Sequence, residues 1–183
     1  EAREQTLRTI ADHLLEQDVD YRDLFDSRKT FLTPALAALY GVPISIRQEM
    51  GGLVPWVPYE YPEDHIRVGL LGQATFLSLF SHPGASSPTL RGKAVREHLL
   101  CQTIPPPPGD VDFSLVRDTD NPEFRTARDR LTEHRNNPTC AGCHTLMDPI
   151  GLALEIFDAS GVFRNMENGA LLDTSGQWLG QEY

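Results

Sequence analysis

The stretch Cys140-Ala141-Gly142-Cys143-His144 decides how this sequence is expected to fold. Two cysteines three positions apart can each form a thioether with one of the two vinyl groups of a haem. The histidine after the second cysteine is then directed at the iron. Ala141 and Gly142 are small, so the backbone can lie close to the porphyrin edge. The spacing therefore predicts one covalently attached haem c, with Cys140, Cys143 and His144 binding the cofactor and His144 as the proximal iron ligand.

A zinc site, a redox-active cysteine pair and a chance match are the other interpretations of this stretch. Structural zinc needs four ligands, and Cys143 and the adjacent His144 cannot easily share one tetrahedral ion. A thioredoxin-like pair follows a strand in a βαβ unit, whereas an arginine-rich helical segment and Pro138 precede Cys140 here. The third cysteine, Cys101, follows apolar residues, so we expect a buried, inert thiol.

The residue on the other face of the iron is left open by the sequence. His134 ends a predicted helix just before the motif and could turn toward the haem. Met166 lies at a predicted hairpin, and His82 lies in a turn closer to the N-terminus. Met147 is only three residues after His144, on the same side of a helix, so we expect it in the core or at the haem edge. An empty distal position is the remaining alternative.

Groups around the haem can also be proposed. Pro149 follows His144 by five residues, and its carbonyl or a neighbouring one could accept a hydrogen bond from the second imidazole nitrogen. We expect Arg91, Lys93 and Arg164 to be surface charges, with pairing to the haem propionates as the alternative.

The remaining pattern is predominantly helical. Apolar spacing and capping residues predict helices at about 1–17, 33–40, 68–81, 87–101, 121–135 and 150–157, and a short helix around the cysteines. Residues 42–62 predict an irregular loop with one short strand. Four prolines at 105–108 must be extended, so we expect a helical N-terminal unit at 1–104, a spacer at 105–120 and the haem unit at 121–183. Glu167-Asn168-Gly169 predicts a tight hairpin turn.

Charge and composition narrow the class of protein. The chain has 183 residues and a formal net charge of −10, which disfavours binding to nucleic acid or anionic lipid. No apolar run approaches the roughly 20 residues of a transmembrane helix, so we expect no transmembrane segment. The N-terminus lacks the pattern of a signal peptide, and both ends look cut. We therefore expect a fragment of a longer polypeptide whose missing N-terminal part carries the signal.

Three segments carry a resemblance to a known family: Ser86-Ser87-Pro88-Thr89-Leu90-Arg91-Gly92-Lys93, then His134-Arg135-Asn136-Asn137-Pro138-Thr139 leading into the haem motif, and Met147-Asp148-Pro149-Ile150-Gly151-Leu152-Ala153-Leu154-Glu155. Together they resemble the planctomycete-type cytochrome-like domains of unknown function, which lie near the C-terminus of large secreted proteins. The resemblance implies a periplasmic or extracellular bacterial haem protein. His134 fits the family pattern, whereas Met166 does not obviously do so.

These observations predict a mainly α fold: a cytochrome-c-like haem unit, a helical N-terminal unit and a small β-hairpin near the C-terminus. The function we expect is electron transfer to or from another redox protein or haem domain of the same polypeptide or complex. One alternative is a haem enzyme with an open distal site, peroxidase-like or oxygenase-like. The other is a haem-stapled structural module of a surface or filament assembly.

Overall fold

The computed structural model describes residues 1–45, 55–107, 109, 113–178 and 181–182. It is mainly helical with a small antiparallel hairpin near the C-terminus, which confirms the predicted fold class. The chain forms two compact units. Unit 1 contains Glu1–Leu79 and Ser160–Val162, and unit 2 contains Phe80–Ala159 and Phe163–Tyr183.

The elements are numbered in chain order. The α-helices are α1 (Ala2–Ala11), α2 (Pro34–Tyr40), α3 (Ala74–Leu79), α4 (Pro88–Ala94), α5 (Ser114–Arg117), α6 (Ala127–His134) and α7 (Pro138–Leu152). Short π-helical turns follow α1 and α4 at Asp12–Glu16 and Val95–Leu99, and 3-10 turns occupy Tyr21–Phe25 and Leu70–Gly72. The strands are β1 (Lys29–Leu32), β2 (Val57–Glu60), β3 (Met166–Glu167), β4 (Ala170–Leu171), β5 (Gln177–Trp178) and β6 (Gln181–Glu182).

Unit 1 is built on α1, α2 and the antiparallel pair β1–β2, in which Leu32 lies opposite Val57. The helix predicted at 33–40 is confirmed as α2. The Thr33 hydroxyl accepts a hydrogen bond from the Leu36 backbone N at 3.2 Å, and Gly41 ends the helix in the left-handed region at φ 68°. An apolar cluster fills the space between these elements: Leu32, Leu36, Ala37, Tyr40, Tyr61 and Ala74.

A buried polar network joins α1 to β1 inside unit 1. Gln5 donates to the Thr30 hydroxyl at 3.1 Å and accepts from the Tyr40 hydroxyl at 2.7 Å. Gln73 donates to the Thr9 hydroxyl at 3.3 Å. These side chains are buried, and their mutual bonds replace the hydrogen bonds that water would otherwise supply. The face of α1 that carries Gln5 and Thr9 is thereby held against β1.

Unit 2 is organised around α7, which differs from its prediction. The sequence predicted a short helix at the cysteines and a second helix from 150 to 157, separated by Asp148 and Pro149. The structure has one continuous helix, Pro138–Leu152, with Pro149 inside it. The helix persists because tertiary packing against α4 outweighs the local effect of the proline.

Other segments of unit 2 confirm or shorten the predicted elements. The helix expected at 121–135 is confined to α6, where Thr126 and Asp129 form a reciprocal capping box. The hairpin is confirmed as β3–β4, with Asn168 and Gly169 both at positive φ in the turn. The loop predicted at 42–62 does contain one short strand, β2, although residues 46–54 lie outside the described part of the chain.

The proposed division at 105–120 stays a prediction. Residues 105–107 are exposed and have no regular structure, Pro108 and 110–112 lie outside the described residues, and α5 falls within the expected spacer. The compact units instead group α4 with α7. Across the described residues, no helix combines the length and the apolar character that crossing a bilayer requires.

Candidate functional site

The first two turns of α7 hold the predicted site residues. The Asn137 side chain accepts a hydrogen bond from the Thr139 backbone N at 3.0 Å, and Pro138 occupies the first helical position, where a missing N–H is tolerated. Cys140, Cys143 and His144 follow at spacings of three and four, which place them on one face of the helix. The helix thus begins two residues before Cys140, the first of these three residues.

Both cysteines of the motif are free thiols. Cys140 is buried and Cys143 is partly exposed. Since α6 and a short turn precede α7, these cysteines do not follow a strand as a thioredoxin-like pair would. Within the described residues, no group of three or more His, Cys, Asp or Glu side chains is arranged to hold a metal ion.

The imidazole of His144 is held by a carboxyl group on its own helix. His144 Nδ1 lies 3.0 and 3.1 Å from the two carboxyl oxygens of Asp148, one turn further along α7. Asp148 is fully buried and also accepts a hydrogen bond from the Thr89 hydroxyl at 2.9 Å. The hypothesis that a carbonyl at or near Pro149 accepts the hydrogen bond from this nitrogen was wrong. The continuous helix instead brings the Asp148 side chain within hydrogen-bond distance of Nδ1.

The contact between α4 and α7 depends on two glycines. A Cβ atom on Gly92 of α4 would overlap the Met147 carbonyl oxygen, and one on Gly151 of α7 would overlap the Pro88 carbonyl oxygen. The two backbones therefore touch directly, which only glycine permits. This close approach brings Thr89 within hydrogen-bond distance of the Asp148 carboxyl.

Of the three predicted distal candidates, His134 is the one that contacts His144. The two ring centroids are 5.0 Å apart, with an angle of 73° between the ring planes. The ring of Phe113 stacks on His134, with a centroid distance of 6.2 Å. Met166 is exposed in β3, and His82 is exposed in a turn closed by a bridge to Ala85.

Met147 and Cys101 differ in their exposure to solvent. Met147 is buried, which confirms that it belongs to the core. Cys101 is exposed at a positive φ of 53°, so the expectation of a buried thiol was wrong. The apolar neighbours that suggested burial, Leu99 and Leu100, are themselves exposed.

A buried charge network fixes the segment that follows α7. Arg91 is fully buried, and its Nη1 lies 3.3 Å from Glu155 Oε1. Arg164 and the Ser86 hydroxyl donate to Glu155 Oε2 at 2.9 and 2.7 Å. Burial raises the pKa of the Glu155 carboxyl, a rise that the two guanidinium groups oppose, and burial lowers the pKa of Arg91 to about 10.

The burial of Arg91 corrects its predicted role as a surface charge or propionate partner. The guanidinium also donates to the carbonyl oxygens of Leu154, Phe157 and Asp158 at 2.9, 2.8 and 2.6 Å. It therefore bonds the segment that follows α7, and these bonds direct the side chain into the protein rather than outward.

A comparison with protein families covers the part of the chain that holds these residues. The family described as PSCyt3, protein of unknown function (DUF1588), matches residues 67–167, which is more than half of the chain. The chain belongs to the PSCyt3 family. The match includes α3 to α7 and β3, and hence all of the site residues described above. No curated protein and no solved structure matches the chain.

Two residues of this candidate site, Thr89 and Asp148, were not recognised in the sequence. Asp148 was interpreted as the cap of a new helix because Pro149 follows it. His144 and Asp148 are four residues apart, so their side chains become neighbours once the helix is taken to continue through Pro149. Thr89 carries no local signal, because its role depends on contact with a segment 59 residues away.

Proposed function

We propose that this chain is an exported c-type cytochrome domain that carries one covalent haem and exchanges electrons with another redox protein or haem domain. The observation that carries the proposal is the face of α7 on which two free thiols and one oriented imidazole lie together. Because Nδ1 of His144 is engaged by Asp148, Nε2 is the nitrogen that can bind iron. The family's cytochrome-like name is consistent with this assignment.

The residues fit a haem in number and chemistry. Cys140 and Cys143 would hold the porphyrin covalently through thioethers, and His144 would be the proximal ligand. When bound, the haem supplies a one-electron ferric–ferrous couple. The chain's own contribution is to keep the imidazole in one tautomer and orientation, through Asp148, while the buried Arg91 network holds the end of α7 in place.

For the sixth iron ligand we propose His134. Its ring centroid lies 5.0 Å from that of His144 and 6.2 Å from that of Phe113, so it is the one of the three candidates that lies next to the proposed proximal residue. Met166 and His82 are both exposed, and no comparable contact supports either. Ligation of the haem by both His144 and His134 would favour electron transfer over binding of an external substrate.

The proposed cofactor also suggests where the protein is located and what class of partner it has. Covalent attachment retains the cofactor outside the cytoplasm, so we propose a periplasmic or extracellular location. The net charge of −10 favours approach of a basic redox protein through long-range electrostatic attraction. The acceptor or donor would be such a protein, or another haem domain of the same polypeptide.

The decisive experiment is covalent haem attachment in a bacterial host that exports the 183-residue chain and expresses a cytochrome c maturation system. We expect one haem per chain, resistant to denaturation and acidic extraction, and lost in the double variant Cys140→Ala/Cys143→Ala. Cys101→Ala is the matched control, because it removes the exposed cysteine outside the motif and should leave attachment unchanged. A wild-type chain without covalent haem, in cells that mature a reference cytochrome, would overturn the proposal.

The spectrum of the loaded chain separates electron transfer from the enzyme alternative. A low-spin ferric signal that is unchanged by cyanide or peroxide supports the electron carrier. A high-spin ferric haem that binds these ligands contradicts it and supports an open distal site. The structural-module alternative stays a prediction, tested by imaging the native complex.

A further inference from the structure

The carboxyl group of Asp148 is the feature of this site with the most specific chemical consequence. It is fully buried, and both of its oxygens lie within 3.1 Å of Nδ1 of His144. A backbone carbonyl in the same position would be a neutral acceptor. A carboxylate is a charged one, and hydrogen bonds to charged acceptors are about twice as strong as neutral ones.

The effect of such an acceptor on a metal-bound histidine follows from electrostatics. A carboxylate bonded to the second ring nitrogen increases the electron density on the imidazole and makes it a stronger donor to the metal. A stronger donor stabilises ferric iron more than ferrous iron, since the ferric ion carries the larger charge. The reduction potential should therefore be lower than with a neutral acceptor.

Thr89 moderates this effect from the neighbouring helix. Its hydroxyl donates to Asp148 Oδ1 at 2.9 Å, so it competes with the imidazole for the charge on that oxygen. The hydroxyl reaches the carboxyl because Gly92 and Gly151 allow the backbones of α4 and α7 to touch. The position of this donor is thus fixed by the packing of the helix pair rather than by a flexible loop.

We propose that Asp148 is a positioning residue that lowers the reduction potential of the haem iron through His144, and that Thr89 limits the size of that effect. The inference rests on the proposed haem function and adds the element that sets its potential. Electron transfer itself forms or breaks no bond at these residues. They change only the relative stability of the ferric and ferrous states.

The test is the reduction potential of the covalently loaded chain, measured by spectroelectrochemistry. Asp148→Asn retains the size of the side chain and replaces the charged acceptor with a neutral one. We expect the equilibrium to shift toward the ferrous state by at least tenfold, which is about 59 mV for a one-electron couple. Thr89→Val removes the competing donor and should shift the potential in the opposite direction. Thr145→Val, an exposed position next to His144, is the matched control and should leave the potential unchanged.

The outcomes are distinguishable. Opposite shifts for Asp148→Asn and Thr89→Val support the inference, since loss of packing alone would not give shifts of opposite sign. Unchanged potentials in loaded variants, or shifts equal to that of Thr145→Val, overturn it. If Asp148→Asn does not take up haem, the sign of the Thr89→Val shift decides. A wild-type chain without covalent haem is recognised from its absorbance before any potential is measured, and it overturns the proposed function and this inference together.

Discussion

Replacing Arg91 with methionine tests the buried network that holds the end of α7. The substitution removes a fully buried guanidinium that bonds three backbone carbonyls and Glu155, and it retains most of the apolar volume. Without it, the carbonyls after α7 lose their donor in a region that excludes water. An unsatisfied buried acceptor is destabilising in its own right, beyond the loss of the bond.

The expected loss of stability depends on the hydrogen bonds that Glu155 keeps in the variant. Breaking a buried ion pair from one side costs about 3–5 kcal/mol, because the partner charge is left uncompensated. Here Glu155 still accepts from Arg164 at 2.9 Å and from Ser86 at 2.7 Å, so part of the compensation is retained. We therefore expect Arg91→Met to lower the free energy of unfolding by about 3 kcal/mol, near the lower end of that range.

The same substitution has a predicted pH dependence. Burial already raises the pKa of Glu155, and removing Arg91 removes a charge that opposes this rise. A group whose pKa is higher in the folded state stabilises the fold below its unfolded pKa, and that contribution is lost as the pH rises through the folded value. The destabilisation by Arg91→Met should therefore be larger near neutral pH than at acidic pH, where Glu155 can take up a proton.

The measurement is urea unfolding of wild type and variant with equal haem content, at neutral and acidic pH. Arg128→Met is the matched control, because Arg128 pairs with Asp173 at 3.4 Å near the surface, where such pairs contribute about 0–1 kcal/mol. Equal destabilisation by the two substitutions would refute the reasoning that burial makes the Arg91 network important. A loss that grows toward acidic pH would refute the account of Glu155.

Three further predictions concern packing, ligation and charge. Gly92→Ala should destabilise the chain by about 1–3 kcal/mol, because the added Cβ would overlap the Met147 carbonyl oxygen. At Gly142 the added Cβ meets open space, so Gly142→Ala should stabilise the apoprotein helix by up to about 1 kcal/mol. Thermal melts that rank the two variants in the other order would contradict the close contact between α4 and α7. His134→Ala should convert a low-spin ferric spectrum to a high-spin one, and His82→Ala should not; identical spectra would exclude His134 as ligand. Electron exchange with a basic redox protein should slow as salt is raised, because the Debye length falls from about 30 Å at 0.01 M to about 8 Å at 0.15 M; a salt-independent rate would argue against electrostatic steering.

The sequence predicted those features that depend on a few neighbouring residues. Asn168 and Gly169 adopt the positive φ values that a tight hairpin requires, and that requirement is visible in the dipeptide itself. Thr33 and Gly41 likewise mark both ends of α2. In each case the backbone conformation is set by local sterics and by one side-chain hydrogen bond.

Features that depend on contacts distant in sequence were not predictable in the same way. Pro149 normally disfavours a helix interior, and only packing against α4 explains why α7 continues through it. Arg91 was expected at the surface because arginine is seldom fully buried, and its three backbone acceptors lie more than 60 residues away. Asp148 was missed for the same reason, since its hydrogen bond with His144 forms only when the helix is uninterrupted.

Helix α4 therefore contributes to the site although it contains none of the predicted haem-binding residues. Thr89 bonds the carboxyl group that orients His144, Gly92 permits the close approach, and Arg91 holds the segment after α7. A haem unit beginning at residue 121 would retain the Cys-x-x-Cys-His motif but lack all three contributions. The family match covers residues 67–167 and so includes both α4 and α7. The cysteines and histidine determine which cofactor we propose, whereas α4 contributes to the environment in which the His144 imidazole is held.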